Sequence, residues 1–195
     1  MIVLLDLCYR PCSLGEDEFV RPIADIVKNC GYQYNICHFS EWDPLAESSV
    51  EAVILCGTPL KDNRFATMPE CFAWIPGSEV PVLGICAGMQ AVILAYDGSI
   101  TERPEIGMTT VRSLVSGDPI FCDTEWTAYE LHRFCPVPTG DLLALAKSDA
   151  CVQAVRHRTD PVYGVMFHPE VRNIWVVERF LSSVCGHAKE NAEKK

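Results

Sequence analysis

Residues 81–90, PVLGICAGMQ, decide the fold of this chain. An apolar run ends at Cys86, which has a glycine two residues before it and another two residues after it. Apolar residues then recur at helical spacing, at Met89, Val92 and Ile93. This pattern predicts a buried strand that turns sharply into a helix, with a candidate nucleophile at the turn.

Cys86 has physical reasons to be reactive at such a turn. A side chain at Gly84 or Gly88 would collide with a neighbouring strand or block the close backbone approach that the turn needs. A cysteine at a helix N-terminus lies beside free N–H groups and a partial positive charge, which favour the thiolate. The alternative is that Cys86, one of eleven cysteines, simply fills the core.

A second stretch, residues 163–170 (YGVMFHPE), offers a base and a carboxylate. Residues two apart on an extended segment point the same way, so His168 and Glu170 are predicted to share a side. A cysteine, a base and a carboxylate that orients the base form a catalytic triad. These residues therefore predict covalent catalysis by a thiol.

Residues 84–90 (GICAGMQ) and 167–170 (FHPE) together resemble the class I, or triad, glutamine amidotransferases, and the resemblance spans about residues 1–181. It implies that Cys86 attacks L-glutamine, that His168 transfers the proton and that Glu170 fixes the imidazole. Glutamate and ammonia would be the products. The ammonia would pass in trans to a separate synthetase subunit.

The resemblance also implies residues that bind the oxyanion and the substrate. The backbone N–H groups of Gly57 and Ala87 would hold the oxyanion, although the family has a second glycine where this chain has Thr58. Gln90 resembles the residue that contacts glutamine. The alternatives are a plain loop glycine at Gly57 and an ordinary exposed helix position at Gln90.

The stretch downstream of His132 resembles the GMP synthetase branch of the family, whereas the segment around His132 departs from it. That branch carries a Ser-His-x-Asp segment, whereas residues 130–133 of this chain read ELHR. Residues 141–157 look most like that branch. GMP synthesis is therefore one expected use of the ammonia, and His132 is expected on the surface. Surface positions are also expected for three other histidines: His38, His157 and His187.

The order of the remaining elements predicts an α/β fold. Apolar strands at residues 2–5, 32–39, 53–56 and 81–86 alternate with helical patterns, which indicates a mostly parallel, doubly wound sheet with helices on both faces. The resemblance implies the same flavodoxin-like three-layer sandwich. The ligand site of such a sheet lies beyond the carboxyl ends of its strands.

Several finer predictions accompany this fold. A first helix is expected to begin near Pro22 or to be kinked there, and residues 67–70 have the form of a capping box. Short β-prone runs within residues 104–115 predict a small antiparallel extension. Further strands are expected at residues 142–146, 152–155 and 162–167, and a closing helix at about 173–184. Residues 1–185 would form one domain, and residues 186–195 a charged tail.

Composition limits the partners and the compartment. The formal net charge of −10 argues against a nucleic-acid surface, and no apolar run approaches the roughly 20 residues that span a bilayer. Eleven cysteines without a recognisable secretion signal indicate a reducing cytoplasm and unpaired thiols. No spacing typical of a zinc site or a nucleotide cofactor occurs, so neither a metal nor a cofactor is expected.

Two other functions remain open at this point. Thr58 and the altered segment at residues 130–133 are consistent with a catalytically impaired glutamine-binding or regulatory subunit. A γ-glutamyl thiol hydrolase could also use the same fold. Gln90 and the orienting Glu170 favour the amidotransferase.

Overall fold

The computed structural model describes residues 1–44 and 49–185, in which nine strands form a single sheet. The predicted tail, residues 186–195, lies outside the described residues. The strands follow one another in the order β2-β1-β3-β4-β9-β8-β7-β5-β6. Their bounds are β1 Ile2–Asp6, β2 Tyr34–His38, β3 Ala52–Leu55, β4 Val82–Ile85, β5 Ser99–Ser113, β6 Glu125–Val137, β7 Leu142–Lys147, β8 Val152–His157 and β9 Val162–Val165.

The parallel half of the sheet comprises β2, β1, β3, β4 and β9. Strands β1, β3 and β4 are buried along their whole length, as expected for parallel strands that are covered on both faces. The register pairs Leu55 with Gly84, and Gly84 with Gly164. This half confirms the predicted α/β, flavodoxin-like architecture and brings the carboxyl ends of β3, β4 and β9 together.

The antiparallel half is larger than the predicted extension. Strands β5 and β6 pair with each other over most of their length, and β5 also pairs with β7, which continues through β8 to β9. Strand β6 was not predicted at all. Residues 131–134 of β6 lie next to the nucleophile turn.

Among the described residues, three α-helices flank the sheet: α1 Arg21–Asn29, α2 Ala87–Ala95 and α3 Trp175–Cys185. Helix α1 follows a π-helical turn, Glu16–Val20, and has Pro22 in its first turn, where the missing N–H costs no hydrogen bond. The predicted capping box is wrong, because the Thr67 hydroxyl donates to the Arg64 carbonyl (2.7 Å) within one of two 3₁₀ turns.

Within the described part of the chain, no helix combines the length and the apolar character needed to cross a membrane.

Candidate active site

Cys86 occupies a strained turn between β4 and α2. Its φ of 50° and ψ of −104° lie in a region that non-glycine residues rarely adopt and that costs about 1–3 kcal/mol. The backbone holds this conformation, because the Cys86 N–H donates to the Val165 carbonyl (2.7 Å) and the Cys86 carbonyl accepts from the Gln90 N–H (3.0 Å). Such a turn presents the side chain at the end of the strand, as predicted for a nucleophile.

The two flanking glycines are required by close backbone packing. A Cβ on Gly84 would lie 2.5 Å from the carbonyl of Gly88, and a Cβ on Gly88 would lie 2.1 Å from the Leu55 carbonyl oxygen. Neither contact is compatible with a side chain, since the opposing atoms belong to the backbone. The predicted reason for both glycines is therefore confirmed, and α2 rests directly against β3.

His168 and Glu170 meet as predicted, after the end of β9. The His168 imidazole donates from Nδ1 to Glu170 Oε1 at 2.7 Å, and both side chains are almost completely buried. The backbone N–H of His168 also donates to the Tyr129 carbonyl (2.9 Å) on β6. These bonds fix the ring and its tautomer, so that Nε2 is the free nitrogen.

Gly57 makes room for this imidazole. A Cβ at Gly57 would lie 2.9 Å from His168 Cε1, so the glycine is not interchangeable with other residues and the plain-loop alternative is insufficient. Its backbone N–H remains a candidate oxyanion donor. Thr58 follows it, is buried and donates its hydroxyl to the Asp62 carbonyl (2.9 Å).

Opposing effects act on the protonation of His168. Burial acts to lower the pKa of His168, but the interactions of its ring with Cys86 and with the Glu170 carboxylate together raise that pKa well above its usual value. No described residue forms a hydrogen bond with His168 Nε2 within normal distance limits. The imidazolium is therefore favoured when Cys86 is ionised, and Nε2 is available to move a proton.

A narrow cleft opens over Cys86 and is closed on one side by β6. Ala87 and Thr58 line it from the parallel half, whereas Leu131 and Phe134 line it from β6. The Cys86 thiol donates to the Leu131 carbonyl at 3.7 Å, within the range for sulfur. Sequence reasoning missed this wall, because β6 itself was not predicted.

Gln90 lies in the same cleft, one turn along α2 from the nucleophile. Its side chain is buried, and its amide Nε2 donates to the Phe134 carbonyl at 3.1 Å. The exposed-helix alternative is therefore wrong. A role for Gln90 in binding glutamine stays a prediction.

The expected surface position of His132 is wrong. His132 is 2% exposed and contacts two carboxylates, those of Glu105 and Glu130, from the inward face of β6. His38 is also buried, where it bonds Ser40 and the Cys8 carbonyl, and only 9% of the His157 side chain is exposed. The prediction for His187 lies outside the described residues.

The expectation of unpaired thiols is wrong for one pair of cysteines. Cys135, near the end of β6, forms a disulfide with Cys151, just before β8. The bond joins two cysteines that are 16 residues apart in the sequence.

Sequence comparison places this geometry in a family. The family model "Glutamine amidotransferase class-I" matches residues 16–174, which is most of the chain and includes Cys86, His168 and Glu170. The chain belongs to the class I glutamine amidotransferase family. Membership explains why a strained cysteine, a histidine and a carboxylate converge at the carboxyl ends of β4 and β9.

Two relatives of this amidotransferase are subunits of GMP synthases. It is 33% identical, over 95% of its own length and 96% of the relative, to a glutamine-hydrolyzing GMP synthase subunit of Methanocaldococcus jannaschii. It is 34% identical to the corresponding GMP synthase subunit of Methanosarcina barkeri, over 72% of this chain and 75% of the relative.

Solved structures confirm the amidotransferase fold. A Thermoplasma acidophilum protein assigned as one of the subunits of GMP synthase superposes with a TM-score of 0.79 at 23% identity, covering 98% of this chain and 96% of that one. A glutamine amidotransferase from Thermotoga maritima gives a TM-score of 0.68 at 16% identity, covering 98% of this chain and 84% of the other.

Proposed function

We propose that this chain is the glutaminase subunit of a two-subunit GMP synthase, in which it hydrolyses L-glutamine and delivers ammonia to a separate synthetase subunit. The glutamine-hydrolyzing GMP synthase subunit of Methanocaldococcus jannaschii matches nearly the whole chain. The observation that carries the proposal is the buried contact between His168 and Glu170 beside the strained Cys86.

The reaction follows from the positions of these groups. His168 Nε2 takes the thiol proton, and Cys86 Sγ attacks the carboxamide carbon of glutamine. The backbone N–H groups of Ala87 and Gly57 stabilise the resulting oxyanion. His168 then protonates the leaving nitrogen, which departs as ammonia and leaves a γ-glutamyl thioester on Cys86. Water, deprotonated by His168, attacks the thioester and releases glutamate.

Gln90 and β6 form the substrate side of the cleft in this proposal. The amide of Gln90 is held by the Phe134 carbonyl, so its oxygen is oriented by a backbone contact rather than free to rotate. Glutamine would enter between α2 and β6. The ammonia acceptor would be activated on the partner subunit, and a reducing cytoplasm remains the expected compartment.

Two assays test the proposal. The first measures glutamate release from L-glutamine by the purified chain, alone and with the synthetase subunit of a GMP synthase. The second measures glutamine-dependent GMP formation by the mixture. We expect glutamate release that requires Cys86 and increases with the synthetase.

The alternatives give different results in the same assays. No glutamate release under either condition, with glutamine still bound, would support the impaired binding subunit suggested by Thr58. Hydrolysis of γ-glutamyl peptides in preference to glutamine would support the thiol hydrolase. Glutamate release without GMP formation would retain the glutaminase and reject the assignment to GMP synthesis.

A further inference from the structure

A group of side chains that could hold a metal ion lies on the inner face of β6, apart from the triad, with two members buried and Glu105 partly buried. It combines Glu105 from β5, His132 from β6 and Cys151 from the turn before β8. One potential ligand atom of each residue lies within 4.8 Å of the other two. Histidine nitrogen, thiolate sulfur and carboxylate oxygen are the donors that Zn²⁺ prefers in proteins.

Polar atoms in this group lack the hydrogen bonds that their burial requires. Among the described residues, neither ring nitrogen of His132 and neither carboxylate oxygen of Glu130 has a hydrogen-bond partner. His132 is 2% exposed and Glu130 is 0% exposed. Buried polar atoms without partners are costly, and His132 Nε2 has only the two longer carboxylate contacts. A bound ion would give the His132 ring the partner that it lacks.

The distances around His132 match those between ligands of one ion. His132 Nε2 lies 3.4 Å from Glu105 Oε2 and 3.4 Å from Glu130 Oε2. Two N or O ligands of a tetrahedral zinc, each with a bond of about 2.0–2.1 Å, lie about 3.3 Å apart. Glu105 and His132 are thus separated by about the edge length of a coordination tetrahedron, whereas Glu130 contacts the same nitrogen from outside the group.

The Glu105 carboxylate is also oriented as a metal ligand requires. Its Oε2 accepts hydrogen bonds from the Ser148 hydroxyl (3.1 Å) and from Gln153 Nε2 (2.9 Å). Neighbours that orient a ligand in this way commonly account for a tenfold to hundredfold difference in metal affinity. Ser148 and Gln153 are both buried, which keeps bulk water away from the group.

We propose that Glu105, His132, Cys151 and Cys135 bind one Zn²⁺ ion when the Cys135–Cys151 disulfide is reduced. Cys135 lies outside this group in the oxidised protein, but its sulfur is bonded to that of Cys151, and reduction frees it to reach the ion as the fourth ligand. A cellular thiol reductant supplies two electrons, the S–S bond breaks, and two protein thiols form while the reductant becomes a disulfide. Zn²⁺ then replaces the two thiol protons, which pass to solvent.

Four protein ligands make this a closed, structural site rather than a catalytic one. The ion would tie β5 and β6 to the turn that precedes β8, whereas the disulfide of the oxidised protein ties only β6 to that turn. Strand β6 also carries the Leu131 carbonyl that contacts Cys86 and the Phe134 carbonyl that contacts Gln90. The cleft wall would therefore be braced by the disulfide or by the ion, depending on redox state. This inference departs from the expectation that the chain binds no metal.

The test uses the full-length protein, reduced with a phosphine, freed of metal with a chelator and titrated with Co²⁺ as a spectroscopic substitute for Zn²⁺. We expect one equivalent to bind and to give both the visible bands of a tetrahedral site and the ultraviolet bands of thiolate ligation. A competing chromophoric chelator then measures the zinc affinity. The oxidised protein should show neither set of bands.

Variants assign the ligands. Cys151→Ser and His132→Asn should each weaken binding by at least about a hundredfold, and Glu105→Gln should shift the visible bands while the thiolate bands remain. Matched controls are Cys122→Ser, at an exposed free cysteine, and His38→Asn, at a buried histidine with its own partners. Both controls should bind as the wild type does.

Three results with the wild type and the ligand variants would each overturn the proposal, and a fourth applies if a variant fails to fold. They are no stoichiometric binding by the reduced wild type, binding that Cys151→Ser and His132→Asn leave unchanged, and a disulfide that the phosphine cannot open in the folded protein. Circular dichroism identifies any variant that fails to fold. If Cys151→Ser or His132→Asn fails to fold, the Co²⁺ spectrum of Glu105→Gln tests the site instead. A Glu105→Gln spectrum identical to that of the wild type would also overturn the proposal.

Discussion

Replacing Gly88 with alanine tests whether the close approach of α2 to β3 positions the nucleophile. The new Cβ would lie 2.1 Å from the Leu55 carbonyl oxygen, whereas an ordinary carbon–oxygen contact is about 3.3 Å. Because the opposing atom is backbone, no rotamer change can relieve the overlap. Helix α2 must therefore move away from β3 by about 1.2 Å.

Two effects on stability compete in this variant. Alanine in place of glycine within a helix stabilises it by about 1 kcal/mol, whereas overpacking costs about 1–3 kcal/mol, and a clash against backbone belongs at the upper end of that range. We expect a net loss of about 2 kcal/mol in the free energy of unfolding. For a chain of this size, such a loss lowers Tm by about 4–8 °C.

The same displacement should reduce catalysis. Cys86 lies two residues before Gly88, so its sulfur moves relative to His168, and a misplacement of about 1 Å costs about a hundredfold in rate. Calorimetry gives the change in Tm, and glutamate release at saturating glutamine gives kcat. Gly117→Ala is the control, because φ is +81° there and nothing lies within 4 Å of its added Cβ. It should cost about 1–2 kcal/mol in stability without changing kcat.

The result that would refute this reasoning is a Gly88→Ala protein that is as stable as the wild type, or more so, with an unchanged kcat. Helix propensity would then dominate, and the turn would tolerate a side chain. Loss of activity in Gly117→Ala would equally remove the link between backbone approach and catalysis.

Other predictions concern the triad and the substrate side chain. Cys86→Ala should lower glutamate release by about 10⁶-fold while the protein stays folded by circular dichroism; residual turnover above that level would contradict the thioester route. Glu170→Gln should lower kcat by about 10³–10⁴-fold with little change in KM, and a change confined to KM would argue against an orienting role. The pKa of His168 is raised in the folded protein, so protonation of His168 adds to the free energy of unfolding. This contribution should be complete below about pH 6.5 and should be lost as pH rises through the raised pKa. Calorimetry across pH should show this loss in the wild type and a smaller one in Cys86→Ala; identical profiles would be inconsistent with it. Gln90→Ala, which loses the bond to the Phe134 carbonyl, should raise KM for glutamine more than it lowers kcat, and steady-state kinetics distinguish the two.

The nucleophile turn could be predicted because its determinants are local in sequence. Gly84 and Gly88 flank Cys86 at positions where other backbone segments come too close for a side chain. The need for glycine at both positions gives a pattern that can be recognised in the sequence. His168 and Glu170 are likewise two residues apart. Burial of the parallel strands on both faces gives continuous apolar runs that are readily recognised.

Strand β6 escaped prediction because its inward face is polar at the decisive positions. Residues 128, 130 and 132 are all buried, which is the alternation of a strand, but Glu130 and His132 occupy two of them. A hydrophobic pattern therefore never appears there. The burial of these polar side chains is explained by pairing with β5, which places Glu105 opposite His132.

The disulfide could not be inferred from spacing either. Cys135 and Cys151 are 16 residues apart, and their meeting depends on how β5, β7 and β8 are ordered in the sheet. The cysteine content suggested a reducing compartment, which pointed away from any pairing. A donor set assembled from three separate segments leaves no continuous motif.

The two halves of the cleft are encoded by stretches of chain that do not overlap. Cys86, His168 and Glu170 follow the parallel strands β4 and β9, whereas Leu131 and Phe134 belong to the β5–β6 hairpin. The two halves meet through backbone carbonyls of β6, which accept from the His168 backbone N–H at Tyr129 and from the Cys86 thiol at Leu131. Changing only the side chains of Leu131 and Phe134 would reshape one wall of the cleft while these backbone contacts stay in place.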